Sequence, residues 1–189
     1  MPMSSPEPIA GGELLLVSPL KSSRGRAAFL RRISQWLAIG ASAVGSYYGI
    51  SHFILQSVTV VGLSMAPTLF DSQHYLLNRW IYHVRAPHRS EIVVLRDPTD
   101  NTFAVKRVVG VSGDTIYLKD GDVYVNGEKL AEPYLAPGTA TFAYAPFKEQ
   151  SFKCGQDQYF VMGDNRRNSA DSRTYGPIRR QNVLGLIIR

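Results

Sequence analysis

Hydrophobic residues are spread along this chain in two different ways. From Ile33 to Phe70 there is no Asp, Glu, Lys or Arg. Within that run, residues 35–55 are apolar or small over the roughly 20 positions that a helix needs to cross ~30 Å of hydrocarbon. The pattern predicts a single transmembrane helix. Arg31 and Arg32 flank its start, and Trp36, Tyr47, Tyr48 and Phe53 supply rings suited to an interface. The positive-inside rule then keeps the N-terminus in the cytoplasm and places everything after Gln56 outside. A cleaved signal peptide is the competing reading. The apolar stretch is longer than a typical h-region and the first 32 residues make a poor n-region, so an uncleaved signal anchor is expected. Residues 1–34, opening on a Pro-, Ser- and Gly-rich stretch, are read as a disordered cytoplasmic leader.

After Gln56 the pattern shortens. Ser57 to Val61, Tyr75 to Leu77, Glu91 to Leu95, Phe103 to Val109, Thr115 to Leu118, Val123 to Val125, Tyr159 to Met162 and Val183 to Ile188 are short β-branched runs between turn residues. Asp120-Gly121 and Asn126-Gly127 tolerate the positive φ of tight hairpin turns, so residues 115–130 are expected to pair on themselves. Residues 56–189 therefore read as one antiparallel, mostly β domain. Within its excursion, 115–158, Tyr134 to Lys153 carries Pro137, Gly138 and Pro146 and is expected to be a longer loop.

The chain has 189 residues, 21 Lys and Arg against 15 Asp and Glu, and a net charge of +6. That excess alone would suit a nucleic acid. Its distribution does not: five basic against two acidic residues precede Ile33, and the β region carries 16 against 13. This is a mixed-sign surface rather than a basic stripe, and no nucleic-acid partner is expected. Cys154 is the lone cysteine. An intrachain disulfide is excluded, and a small half-buried side chain is the expected role.

Three segments carry candidate chemistry. Gly62-Leu63-Ser64-Met65-Ala66-Pro67-Thr68-Leu69 follows the first strand; alone, its Ser reads as an ordinary turn residue. In Lys106-Arg107-Val108-Val109-Gly110, strand alternation sets Lys106 on a face with Ala104 and Val108. Desolvation there lowers a lysine pKa and leaves a neutral amine able to act as a base, the alternative being an edge lysine that snorkels to water. Met162-Gly163-Asp164-Asn165-Arg166-Arg167-Asn168-Ser169-Ala170-Asp171-Ser172-Arg173 is a polar turn after an apolar strand. A cation site at Asp164 and Asp171 fits poorly among three arginines, and no metal is expected. An ion pair of Asp171 with one of them fits better.

Taken in this order, the three segments, the anchor and the YLKDGDVYVNGEKL hairpin resemble the type I signal peptidases, membrane-anchored serine proteases with a Ser-Lys dyad. The likeness covers roughly residues 35–189. It implies a mostly β fold, a signal-peptidase-type antiparallel β catalytic domain behind a single N-terminal transmembrane helix, with no cofactor. Position by position it implies Ser64 as nucleophile, Lys106 as general base and Ser169 as the hydroxyl that orients the lysine amine. Asp171 and Arg173 correspond to a supporting ion pair, with Arg107 as a further partner. Met65, and less firmly Leu69 and Val105, correspond to walls of the substrate pocket. Some relatives carry a hydroxyl two residues before the nucleophile to help bind the oxyanion; Gly62 has none, which leaves the second donor open.

The expected activity is cleavage of signal peptides from translocated preproteins after an Ala-x-Ala-like sequence. The expected partners are those peptides, the lipid bilayer and the translocation machinery. The implied location is a bacterial plasma membrane, with mitochondrial inner or thylakoid membranes as alternatives. Two other functions stand beside it: a catalytically silent membrane-tethered scaffold, which Ser64, Lys106 and Ser169 disfavour, and a self-cleaving Ser-Lys repressor, which lacks a helix-turn-helix here. A His in place of the lysine base is disfavoured because His52 falls in the anchor and His74, His83 and His88 lie outside the three segments.

Overall fold

The computed structural model describes residues 23–50 and 55–188. The chain forms two compact units divided between Gly45 and Ser46. A helix, α1 (Ser23–Gly49), makes up most of the described part of the first. It begins inside the stretch expected to be a disordered leader. The rest of that leader, residues 1–22, lies outside the described residues, as do His52 and Phe53 near the end of the expected anchor.

The transmembrane expectation is corrected here. No helix among the described residues is long and apolar enough to cross a membrane. The physical reason lies in how α1 spends its length. Its first ten residues carry Arg24, Arg26, Arg31 and Arg32, and from Ile33 to Gly49 the charge-free part rises only about 26 Å. That part is diluted by Ser34, Gln35, Gly40, Ser42, Gly45, Ser46 and Gly49. Absence of charge is not presence of apolar side chains, and only the second favours hydrocarbon. The single-pass topology, with its cytoplasmic N-terminus, extracytoplasmic catalytic domain and plasma-membrane location, falls with the helix.

The second unit is antiparallel β. Its strands are β1 (Leu55–Thr59), β2 (His74–Asn78), β3 (Ile92–Arg96), β4 (Phe103–Gly110), β5 (Thr115–Lys119), β6 (Asp122–Val125), β7 (Glu128–Lys129), β8 (Gln150–Lys153), β9 (Gln158–Met162), β10 (Ile178–Arg179) and β11 (Val183–Ile188). Two one-turn helices, α2 (Ile81–Val84) and α3 (Ser172–Tyr175), punctuate them. Seven strands form a sheet in the order β1-β2-β11-β3-β4-β9-β10, and four form a second in the order β7-β6-β5-β8. All eight runs read from the sequence carry strands. Asp120 and Asn126 adopt φ of 53° and 54°, each followed by a glycine at positive φ, the left-handed pair that closes a two-residue hairpin.

Three apolar clusters hold this unit. Val93, Leu95, Val108, Tyr159 and Val161 form one. Val109, Ile116, Leu118, Phe160 and Met162 form another beneath the second sheet. Val60, Met65, Leu69, Leu77, Ile92, Val94 and Ile187 form the third. Strands β4 and β9 contribute alternate residues to the first and second clusters, so both their faces are covered. Burying each such side chain contributes about 1.5–3 kcal/mol, which makes this pair of strands the rigid spine of the unit.

That spine positions the site. β9 pairs with β4 from Arg107 onward, with Arg107 opposite Met162 and Val108 opposite Val161. Before Arg107 the β4 edge has no partner from β9, while its other edge stays bonded to β3. At the point where β9 ends, Gly163 begins the polar loop. Lys106 therefore sits at a step in the sheet, where an edge becomes free and the loop turns over it.

Candidate active site

The turn after β1 and the step in β4 bring two of the three segments together. Lys106 Nζ lies 3.2 Å from Ser64 Oγ, within hydrogen-bond distance. Lys106 is only 5% exposed. Val93 stands opposite it on β3, and Ala104 and Val108, on its own face, belong to the first apolar cluster. Burial pushes its ammonium pKa below the ordinary lysine value. The charges of Asp171 and Asp97 oppose that shift and the charge of Arg173 adds to it. A lysine in this setting is poised to present a lone pair to a hydroxyl.

The third segment wraps the Ser64 turn. Asn165 donates its backbone N–H to the Ser64 carbonyl at 2.9 Å and its side-chain amide to the Leu63 carbonyl at 3.1 Å. Gly163 passes so close that a Cβ built there would lie 2.5 Å from the Ser64 carbonyl oxygen and 2.6 Å from Ser169 Cβ. Ser169 Oγ is buried and has no hydrogen-bond partner among the described residues. The structure thus places Ser169 beside Gly163 and the Ser64 turn but gives it no bond to Lys106.

Asp171 and Arg173 form a two-pronged ion pair, Nε to Oδ1 at 2.8 Å and Nη2 to Oδ2 at 2.9 Å. Asp171 is fully buried, caps α3 through the Arg173 N–H and accepts the Gly163 N–H at 3.1 Å. Arg107 does not join this pair. Neighbouring residues on a strand point to opposite faces, so Arg107 turns away from Lys106 and meets Asp164 through two bonds of 2.8 and 2.6 Å. Its guanidinium also stacks 3.9 Å from the Tyr134 ring centroid.

A groove of about 710 Å³ runs from Ser64 and Lys106 along Val58, Val60, Val94, Ala104 and Val105 to Arg96 and Phe103, with Arg79 on its flank across β11. Val105 lines it. Met65 and Leu69, 1% and 0% exposed, lie behind it in the third cluster. They shape the groove from beneath rather than facing it. A larger, more open cleft of about 900 Å³ lies by Arg79, His83, Arg179 and Arg180 and includes neither member of the Ser-Lys pair. The pair's own groove is the one with chemistry at its end.

Toward an oxyanion, the Gly62 N–H is already committed to Asp71 Oδ1 at 2.6 Å, whose carboxyl it holds below the usual range. The Ser64 N–H makes no hydrogen bond among the described residues. The described histidines, His74, His83 and His88, are exposed and none lines the groove. Cys154 is fully buried, and burial pushes its thiol up to about 11, leaving it a packing residue. Among the described residues no group of three His, Cys, Asp or Glu side chains is placed to hold a metal.

Several contributors escaped the sequence reading. Asp164 is the partner of Arg107, Asn165 clamps the Ser64 turn, and Asp97 acts on Lys106 through its charge. Arg166 is buried and pairs with Glu132 from the excursion, while its Nε donates to the Gly163 carbonyl at 3.0 Å. A glycine placed where a strand ends against a polar turn was the one local sign of close approach.

A family model described as signal peptidase, peptidase S26, matches residues 33–188. Signal peptidase I V of Bacillus subtilis (strain 168) is 35% identical over 161 residues, which cover 80% of this chain and 95% of that protein. Signal peptidase I of Bacillus amyloliquefaciens is 36% identical over 163 residues, 82% of this chain and 84% of its own. A crystal structure of a signal peptidase I from Enterococcus faecalis V583 is 28% identical with a TM-score of 0.47, covering 55% of this chain and 98% of that one.

Proposed function

We propose a division of labour for this chain, which belongs to the peptidase S26 family of signal peptidases and is a serine endopeptidase of the signal peptidase I type: Ser64 is the nucleophile and Lys106 its general base. Its substrates are the signal peptides of preproteins. The observation that carries the assignment is the 3.2 Å approach of Nζ to Oγ at a lysine that is 5% exposed. A serine hydroxyl is a weak nucleophile and needs a neighbouring lone pair, and a desolvated amine supplies one without histidine.

A peptide docks as an added strand along the free edge of β4 before Arg107, its main chain bonding to the edge and alternate side chains entering the groove. Val58, Val60, Val94 and Val105 leave room for small side chains at the first and third positions before the cut. Ser64 Oγ attacks the scissile carbonyl as its proton passes to Lys106 Nζ. The Ser64 N–H receives the developing oxyanion. The intermediate collapses as Nζ returns the proton to the leaving amine, forming an acyl ester on Ser64. Water, deprotonated by the same amine, then hydrolyses the ester. Asp171, Arg173, Asp164, Arg107 and Asn165 touch no reacting atom and act as positioning residues.

The test is cleavage of a preprotein by the full-length protein, with Ser64→Ala and Lys106→Ala as comparisons. Wild type should release a mature fragment at a small residue and both variants should lose the activity. A variant that cuts as fast as wild type removes that residue from the dyad.

A further inference from the structure

We infer that the groove ends in an acid-binding subsite, formed by Arg79 and Arg96 beside Phe103, which selects substrates with an Asp or Glu side chain four to six residues before the cut. The inference rests on the assignment of Ser64 and Lys106 just given. Three charged side chains line the groove, Arg79, Arg96 and Lys106, and no carboxylate does. Lys106 is buried at the reacting end. Arg96 stands toward the opposite end, Arg79 stands on the flank across β11 from Val94, and neither forms an ion pair among the described residues. Asp97, next in sequence to Arg96, is buried and does not line the groove; it accepts from the Thr99 N–H at 2.8 Å. The middle of the groove is apolar.

The register of the sheet sets the distance. Arg96 stands opposite Phe103, three residues along β4 from Lys106, or about 10 Å on an extended strand. Its guanidinium lies 5.8 Å from the centroid of the Phe103 ring, which is 71% exposed. Arg79 approaches from the far side of β11, where Gly185 packs against its backbone. A substrate with its scissile bond at Ser64 and its small side chains in the apolar stretch reaches the two guanidiniums with the next residues upstream. Both guanidiniums have donors to spare, and a carboxylate is the group whose geometry they fit.

The experiment uses full-length protein and soluble peptides that share Ala at the first and third positions before the cut and differ by Glu or Lys at positions four, five and six. At low ionic strength kcat/KM for the Glu peptide should exceed that for the Lys peptide by about two- to fivefold at one of these positions, within the range expected of exposed charge pairs. The ratio should shrink toward one in about 0.5 M salt. Arg79→Glu with Arg96→Glu should invert it, whereas Arg179→Glu, the same charge change outside the groove, should leave it alone. Equal rates for the two peptides, or a preference that survives the charge reversal, overturns the subsite while leaving the dyad standing. A wild type that cuts neither peptide overturns both.

Discussion

Gly163→Ala is the sharpest perturbation the site offers, because one methyl group is aimed at the nucleophile turn. A Cβ at Gly163 would sit 2.5 Å from the Ser64 carbonyl oxygen and 2.6 Å from Ser169 Cβ, with Ser169 Oγ closer still. A relaxed C···O contact needs roughly 3.3 Å, so the two must separate by about 0.8 Å. The Gly163 side is the stiffer partner. Its N–H is bonded to buried Asp171 and its carbonyl to buried Arg166, and it follows directly from β9, whose faces are covered on both sides. Ser169 and the Ser64 turn therefore yield, and the 3.2 Å spacing of Nζ and Oγ opens toward about 4 Å, beyond the reach of proton transfer. A misplacement near 1 Å costs on the order of 10²-fold in rate, or about 2.7 kcal/mol of barrier. The loss should fall on kcat, with KM nearly unchanged, because the apolar groove is untouched.

Overpacking also lowers stability by about 1–3 kcal/mol, so a control is needed. Gly110→Ala serves, since its Cβ would meet Ile116 Cδ1 at 2.6 Å and Phe160 Cβ at 3.2 Å in the second apolar cluster, away from the dyad. The two variants should show comparable drops in a urea melt, yet only Gly163→Ala should lose kcat on a preprotein substrate. A Gly163→Ala enzyme with kcat within threefold of wild type would refute the reasoning, as would an equal loss of kcat in Gly110→Ala.

Other outcomes follow from the same contacts. Activity should fall as pH drops through the Lys106 pKa, which burial holds below the ordinary lysine value, because only the neutral amine accepts a proton; a rate that stays flat into mild acid contradicts a lysine base. The same shift has a stability consequence. Between the folded pKa and the unfolded value near about 10.4 the unfolded chain binds the extra proton, so stability rises with pH there, and Lys106→Met should remove that rise from a pH series of urea melts. Asp164→Asn strands the Arg107 guanidinium, whose side chain is 7% exposed, and should cost about 3–5 kcal/mol. The double change Asp164→Leu with Arg107→Met should recover most of that loss, and failure to recover would show that the pair does more than compensate itself.

What was legible in the sequence was local. Eight strand runs announce themselves through β-branched residues and turn dipeptides, and Lys106 stands out because Ala104 and Val108 share its face. Strand β8 stayed hidden in the excursion because Gln150–Lys153 offers only Phe152 as an apolar residue. β7 and β10 have two residues each and leave no period to read. The partner of Arg107 was out of reach for another reason. Asp164 is 57 positions away, and only the pairing of β4 with β9 brings them together. The residues alone paired Asp171 with one of three arginines and the resemblance pointed to Arg173; that pair closes within two residues. The transmembrane reading failed on a different confusion, in which a long interval between charges stood in for apolar content that the serines and glycines of α1 do not supply.

The ion pair of Asp171 and Arg173 beside the dyad answers an electrostatic difficulty. In the proposed mechanism a neutral lysine is the reactive species, yet the loop that shapes the Ser64 turn needs a buried carboxylate, Asp171, to hold the Gly163 N–H. Left bare, that carboxylate would favour the protonated amine and undo what burial achieves. Arg173 meets it with two bonds and adds a positive field of its own at Lys106, so the carboxylate keeps its structural bonds while much of its charge is cancelled. Burial can then prevail over the residual pull of Asp171 and Asp97, consistent with the lowered pKa of Lys106. On this reasoning Arg173 serves the chemistry by screening Asp171 from the base, without any contact to the substrate.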